Sequence, residues 1–224
     1  MVYTHPPTVL EKRVAGAIAQ GIQRPRILGR PKMTLRIPPA VNHLEDGRVE
    51  IATPRLLLRG AREDDVAGLY VAFSDPEVMR YWSTQPHTTH LETSTWTRNM
   101  IAAPQNGTTD FIIIHKATAY SIGKIGVWQD QEIGFLLSRL YWGQGLAQEA
   151  LHGVLSYLFG EKGMEEVTAD VDPRNHRSIR LLEGVGFART GFKEQTWEVG
   201  GEWVDSLYLG LRRERWVARE NCQP

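Results

Sequence analysis

The stretch best suited to chemistry is Trp142-Gly143-Gln144-Gly145-Leu146-Ala147. It follows an apolar run, Glu132 to Ser138. It precedes a segment in which Ala147, Ala150, Leu151, Val154, Leu155 and Leu158 recur at three- and four-residue spacing. The run reads as a buried strand and the recurrence as one stripe of a helix. Glycines at a helix start let a ligand approach the backbone, because no Cβ intervenes. The helix start adds unpaired N–H groups and the positive end of the dipole, so the turn suits an anion. It lacks the G-K-[ST] ending of a triphosphate loop and does not match the dinucleotide pattern G-x-G-x-x-G. Taken alone, the turn could equally be a tight strand–helix connection.

The remaining composition narrows the chemistry by exclusion. The 224 residues carry 26 basic and 26 acidic side chains, so no global charge grips nucleic acid. Cys222 is the single cysteine, which rules out an intrachain disulfide and fits a reducing, cytoplasmic setting. The seven histidines are scattered, with no HExxH spacing, and no metal is expected. No apolar run reaches the length of a membrane span, and the first residues lack a signal-peptide core.

Residues 1–49 are set apart as a basic arm. Glu11 is the only acidic residue before Pro39, and Leu10, Val14, Ile18 and Ile22 predict a short helix over Val9 to Gln23. Such an arm suits docking on its own domain or a partner, with mitochondrial targeting as the alternative. Residues 50–217 form one domain and 218–224 a tail. Glu50–Thr53 and Arg55–Arg59 read as a first strand, broken or bent at Pro54. Helices follow over Asp65–Phe73, Asp75–Tyr81 and Leu91–Ala103, with a turn at Pro104–Gly107. Strands are expected at Phe111–His115 and Ile122–Trp128, a hairpin link at Gln129–Gln131, then the glycine turn and its helix. The chain closes with a strand at Val167–Val171, a helix at Ser178–Glu183 and a hairpin of Thr190–Glu198 with Glu202–Leu211. This order predicts an α+β domain: a mixed, mostly antiparallel twisted sheet with helices on both faces.

These pieces resemble the GNAT superfamily of acyl-CoA-dependent N-acetyltransferases, in the branch of the ribosomal-protein N-terminal acetyltransferases. The resemblance rests on Thr53-Pro54-Arg55-Leu56-Leu57-Leu58-Arg59, on Ser74-Asp75-Pro76-Glu77, on Glu132-Ile133-Gly134-Phe135 with the glycine turn, and on Asn175-His176-Arg177-Ser178 with Glu183-Gly184-Val185-Gly186-Phe187. It spans about Glu50 to Trp216. It implies a sheet splayed between the fourth and fifth strands, with acetyl-CoA as acetyl donor. The diphosphate would lie on the turn, Trp142 to Ala147, chiefly on the N–H groups of Gln144, Gly145, Leu146 and Ala147, with Gly143 opening the loop. The pantetheine would pair with Phe135, Leu136 and Leu137, and Asn175 and Ser178 would face the thioester. The wider superfamily often has Gln or Arg where this chain has Trp142, which implies reliance on backbone donors.

Acetyl transfer needs a neutral amine, a donor for the oxyanion and a proton for the leaving thiolate. The resemblance implies the N–H of Phe135 or Leu136 for the oxyanion and Ser178 for the thiolate. A hydroxyl at Ser178 could instead bond its own helix, and Asn175 could serve only as a cap. The resemblance implies that a glutamate on the sixth strand can act as base, a place that falls at Trp197, with Glu194 and Glu198 nearby; Glu132 and Glu198 are the candidates here, and an amine already neutral in bulk or a water chain would need no dedicated base. Substrate walls are expected from Trp82, His87, Trp197 and Trp203, and no acidic cluster in the sequence points to a strongly cationic substrate. The implied activity is transfer of acetyl to a primary amine: a small amine, an amino acid or a protein N-terminus. A non-catalytic acyl-CoA sensor or interaction module is the alternative. The protein is expected as a monomer or homodimer, the arm mediating contact, with no nucleic-acid or membrane partner.

Overall fold

The computed structural model describes residues 38–102, 109–128 and 131–222. The helix expected at Val9–Gln23, the turn at Pro104–Gly107 and residues 129–130 of the hairpin link lie outside them. The described strands are β1 (Ala40–His43), β2 (Val49–Ala52), β3 (Leu56–Arg59), β4 (Thr109–His115), β5 (Tyr120–Trp128), β6 (Glu132–Leu137), β7 (Glu166–Val171), β8 (Ala188–Val199) and β9 (Glu202–Arg212). The helices are α1 (Val66–Phe73), α2 (Pro76–Met79), α3 (His90–Ala102), α4 (Leu146–Gly160), α5 (His176–Val185) and α6 (Arg213–Asn221). The strands form one sheet in the order β1-β2-β3-β4-β5-β6-β7-β9-β8. Every pairing is antiparallel except β6 with β7. This is the expected mixed, mostly antiparallel α+β architecture.

The two faces of the sheet bury separate cores. Ile133 and Leu137 of β6, with Val167, Ala169 and Val171 of β7, pack against Leu146, Ala150, Leu151, Val154 and Leu158 of α4. Leu136 turns to the other face, where Leu69, Phe73, Met79 and Met100 of α1, α2 and α3 cover it. The two-residue period of β6 thus divides its side chains between helices on opposite faces.

Three boundaries differ from the sequence reading. The segment around Pro54 is a full break, a hairpin turn between two strands: Ile51 pairs with Leu58, and the Thr53 N–H donates to the Leu56 carbonyl at 2.9 Å. Proline has no N–H for a ladder and fits the turn. Residues 40–43, assigned to the arm, pair with β2 as an edge strand. Residues 213–221 form α6, which buries Trp216 beside His152 and Phe159.

The first helical stretch is pinned by a buried ion pair. Both terminal nitrogens of Arg59 donate to Asp65 at 2.8 Å, and the Arg62 N–H adds a third bond at 2.8 Å. Asp65 is 3% and Arg59 8% exposed. Asp65→Ala would leave the guanidinium buried and uncompensated, so urea denaturation should register a loss of about 3–5 kcal/mol.

Candidate active site

β6 and β7 separate almost as soon as they meet. Their register contains a single pair, Glu132 with Thr168, supported by the Thr168 N–H donating to the Gln131 carbonyl at 3.0 Å. Beyond it the strands diverge, and the gap opens toward the end of β6. The alternation of antiparallel hydrogen bonds fixes which backbone groups line the gap. The Ser138 N–H donates to the Ile122 carbonyl on β5 at 2.7 Å, so the even positions of β6 face β5. Leu136 therefore points its N–H at the ladder, which corrects its assignment as an oxyanion donor or pantetheine partner. The backbone groups of Phe135 and Leu137 point into the gap. The Leu137 carbonyl is already taken, since the indole Nε1 of Trp142 donates to it at 2.6 Å. That leaves the Phe135 N–H and carbonyl and the Leu137 N–H without a strand partner among the described residues.

The glycine turn stands at the wide end of this gap. A 3-10 turn, Arg139–Tyr141, leads from β6 into it. Gly143 and Gly145 hold φ of 74° and 76°, and Gly145 caps α4. A Cβ on Gly143 would meet nothing within 4 Å, so the turn presents open backbone. Leu146 is buried under α4, so its side chain anchors the turn while its N–H belongs to the helix start.

Residues outside the turn lock it in place, and sequence reasoning missed their role. Glu149 accepts from the Thr53 hydroxyl at 2.6 Å, the Arg55 N–H at 2.7 Å and Arg55 Nε at 2.6 Å. Arg55 Nη1 reaches on to the Gln144 carbonyl at 2.8 Å, while the Gln144 side chain donates to Leu140 at 3.0 Å. Burial pushes the Glu149 carboxyl up, but the donors from Thr53 and Arg55 outweigh it and hold it below its ordinary value. Arg55 also places a guanidinium beside the turn, 3.6 Å from where a Gly145 Cβ would stand. Thr53 and Arg55 were legible only as strand residues; their separations from Glu149, 96 and 94 residues, hid the contact.

The start of α5 closes the other side of the gap. Asn175 caps it, accepting from the Ser178 N–H at 3.2 Å. The Arg177 guanidinium lies 4.9 Å over the Trp142 ring, which joins this helix start to the glycine turn. Ser178 is half-buried, and among the described residues its hydroxyl has no hydrogen-bond partner. The cap is thus Asn175, while the Ser178 hydroxyl is not spent on its own helix.

The side of the gap away from α4 gathers two carboxylates. Glu132 and Asp170 share the sheet face of Gly134 and Leu136, opposite the α4 core. Burial, then the charge of Asp170, raise the Glu132 carboxyl above its ordinary value, although the side chain reaches solvent. Asp170 accepts from Trp197 Nε1 at 2.9 Å and from the fully buried Ser206 hydroxyl at 2.8 Å. Trp82 lies across Gly134, where an added Cβ would sit 3.6 Å from its ring.

Several expected wall residues stand elsewhere. β8 carries a bulge between Lys193 and Trp197, with Gln195 at φ 50°, so strand alternation does not run through it. Trp197 pairs with Val204 and Glu198 with Trp203, which puts Trp197 and Trp203 on opposite faces of the hairpin. Trp203 and Glu198 face away from Asp170, so neither lines this recess and Glu198 cannot serve there as the base. His87 turns inward: its Nδ1 bonds the Thr93 hydroxyl at 2.8 Å and its ring lies 4.9 Å from Phe73. Burial lowers its pKa against the opposing charge of Glu92, as suits a packing histidine. The hairpin tip nevertheless reaches the loop before α3, because the Gln85 amide fills the space beside Gly200. Arg174 adds a tie, bonding Asp172 and Glu202 at 2.7 Å and lying 6.0 Å over Tyr81.

The comparisons with known proteins decide the family. Residues 55–188 match the model of the acetyltransferase (GNAT) domain. The chain belongs to the GNAT acetyltransferases. An N-acetyltransferase called p20 from Bacillus licheniformis is 30% identical over 172 residues, covering 74% of this chain and 97% of the relative. The ribosomal protein uS5-alanine N-acetyltransferase of Escherichia coli is 27% identical over 85 residues, covering 38% and 44% of the two chains. A crystal structure of a GNAT-family acetyltransferase from Bacillus anthracis superposes with a TM-score of 0.67 at 27% identity, covering 74% of this chain and 99% of its own. The protein is therefore an N-acetyltransferase of this family. Among the described residues no cluster of side chains could hold a metal ion, and no helix is long and apolar enough to cross a membrane.

Proposed function

We propose that this GNAT acetyltransferase moves the acetyl group of acetyl-CoA directly to a primary amine in the gap between β6 and β7. One observation carries the placement: the strands part after a single pair, and the gap widens toward a turn whose two glycines hold left-handed φ. The diphosphate seats on the N–H groups of the turn and the start of α4, where backbone donors and the helix dipole favour an anion. Arg55 and Glu149 hold that turn in shape. The pantetheine amides pair with Phe135 and Leu137 as an added strand would, because those groups are unpaired on that side.

The acceptor approaches from the face of Glu132, Asp170 and Trp82. An ammonium group of the lysine type has a pKa of about 10.4 and must lose a proton before it attacks. Glu132, its pKa raised, is suited to take it. The amine lone pair then forms the C–N bond at the thioester carbon, and the Phe135 N–H donates to the oxyanion. Collapse breaks the C–S bond. The thiolate leaves with the bonding pair and takes a proton from the Ser178 hydroxyl, which recovers one from the amide nitrogen as it becomes neutral. The balance is one ammonium and one acetyl-CoA converted to one amide, one CoA thiol and one released proton.

The test is turnover. The protein is incubated with acetyl-CoA and a panel of small amines, amino acids and peptide N-termini, and free thiol is followed above the hydrolysis background. At least one amine should raise the rate. If CoA binds but every amine leaves the rate unchanged, transfer to an amine is the wrong reading.

A further inference from the structure

We propose that Trp82 is the end wall of the gap between β6 and β7 and limits the donor to a two-carbon acyl group. The inference rests on the acetyltransferase reading of that gap, and it assigns the residue that sets donor length there.

The space for the acyl group is bounded on each side. A pantetheine running from the glycine turn along β6 passes Leu137 and Phe135, and the next residue along is Gly134. Ahead, the gap closes, because Glu132 pairs with Thr168 and the Thr168 N–H donates to the Gln131 carbonyl at 3.0 Å. On one face lies the α4 core, with Ile133 and Ala169 buried in it. On the other face stands Trp82. A Cβ added to Gly134 would lie 3.6 Å from Trp82 Cη2, its one neighbour within 4 Å among the described residues. That is ordinary contact for a carbon bonded to the strand. A ligand carbon must keep van der Waals distance from both the strand and the ring, and it does not fit between them. Toward β5 the floor is filled as well. Gly126 pairs with Gly134, and the Asp110 carboxylate occupies the place a Gly126 Cβ would take. The outer edge of the indole therefore seals the strand where an acetyl methyl ends.

Packing holds the wall in place. Trp82 meets Trp96 edge to face, with centroids 6.4 Å apart at 74°. Trp96 is wedged in turn by Phe73, 4.6 Å away, and by Lys124 Nζ, 5.0 Å from its ring centroid. Lys124 is buried and bonds Asp110 at 2.9 Å. The Trp82 Nε1 makes no hydrogen bond among the described residues, so the ring contributes bulk here and not polarity. A longer acyl tail has one exit, sideways past Glu132 and Asp170. An apolar tail there would strip water from two carboxylates and occupy the path of the acceptor amine.

The experiment titrates CoA, acetyl-CoA and butanoyl-CoA separately into the full-length protein by calorimetry, with no amine present. The native protein should bind acetyl-CoA at least about tenfold more tightly than butanoyl-CoA, the low end of what one surplus methylene costs in a fitted pocket. In Trp82→Ala that ratio should collapse toward one, while affinity for CoA, which carries no acyl group, stays unchanged. Trp82→Phe keeps a ring against Trp96 but is too short to reach Gly134. It should give an intermediate ratio, and it provides a second variant should Trp82→Ala fold poorly. Equal affinities for the two acyl donors in the native protein overturn the inference. So does a preference that survives in folded Trp82→Ala, or in Trp82→Phe where only that variant folds. Failure of CoA itself to bind would instead overturn the placement of the donor, so the two failures are distinguishable.

Discussion

Replacing Gly145 with tryptophan is expected to abolish acetyl-CoA binding. Two effects act together. Gly145 holds φ of 76°, where a side chain costs about 1–3 kcal/mol. The indole would also occupy the space in front of the N–H groups proposed to receive the diphosphate, beside Arg55. Gly145→Ala separates the two: it shares the backbone cost, but its methyl would make only ordinary contact with Arg55 at 3.6 Å. Calorimetric titration should therefore find weakened binding for alanine and none for tryptophan, with circular dichroism confirming that both are folded. A folded Gly145→Trp protein with native affinity would move the diphosphate elsewhere.

Glu132→Gln should lower kcat/KM for the amine by about 10²–10⁴-fold, the usual contribution of a positioned base. Its pH profile is the sharper test. The carboxyl works only when ionised, and burial together with Asp170 raises its pKa. Activity should therefore fall on acidification at a higher pH than an ordinary glutamate would give. The variant should lose that limb and keep only the alkaline rise from the amine itself. An unchanged acidic limb in Glu132→Gln would assign the base to another group.

The sequence was sufficient where chemistry is local. The spacing from Ala147 to Leu158 sets the buried stripe of α4, and every residue of that stripe contacts the core it predicts, Ala147 from its edge. The glycines at 143 and 145 announced a turn open to a ligand, and both hold left-handed φ, which few other residues take. Asn175 announced a helix cap, and it accepts the expected N–H. The succession of elements from Arg55 onward followed from such signals, and with it the α+β class.

What the sequence could not convey depends on pairings between distant strands. The hairpin at Pro54, the edge strand at Ala40–His43 and α6 are short or weakly patterned, and only packing on the sheet selects them. The bulge in β8 breaks the two-residue period, so the faces of its side chains follow from the pairing with β9 and not from counting along the strand. Glu149 meets Arg55, and Asp170 meets Trp197, through sheet register alone. Local propensity determined the longer, strongly patterned elements and the place of the glycine turn. The tertiary structure decided which side chains share a face, because register and the divergence of β6 from β7 are properties of strand pairs that no single segment encodes.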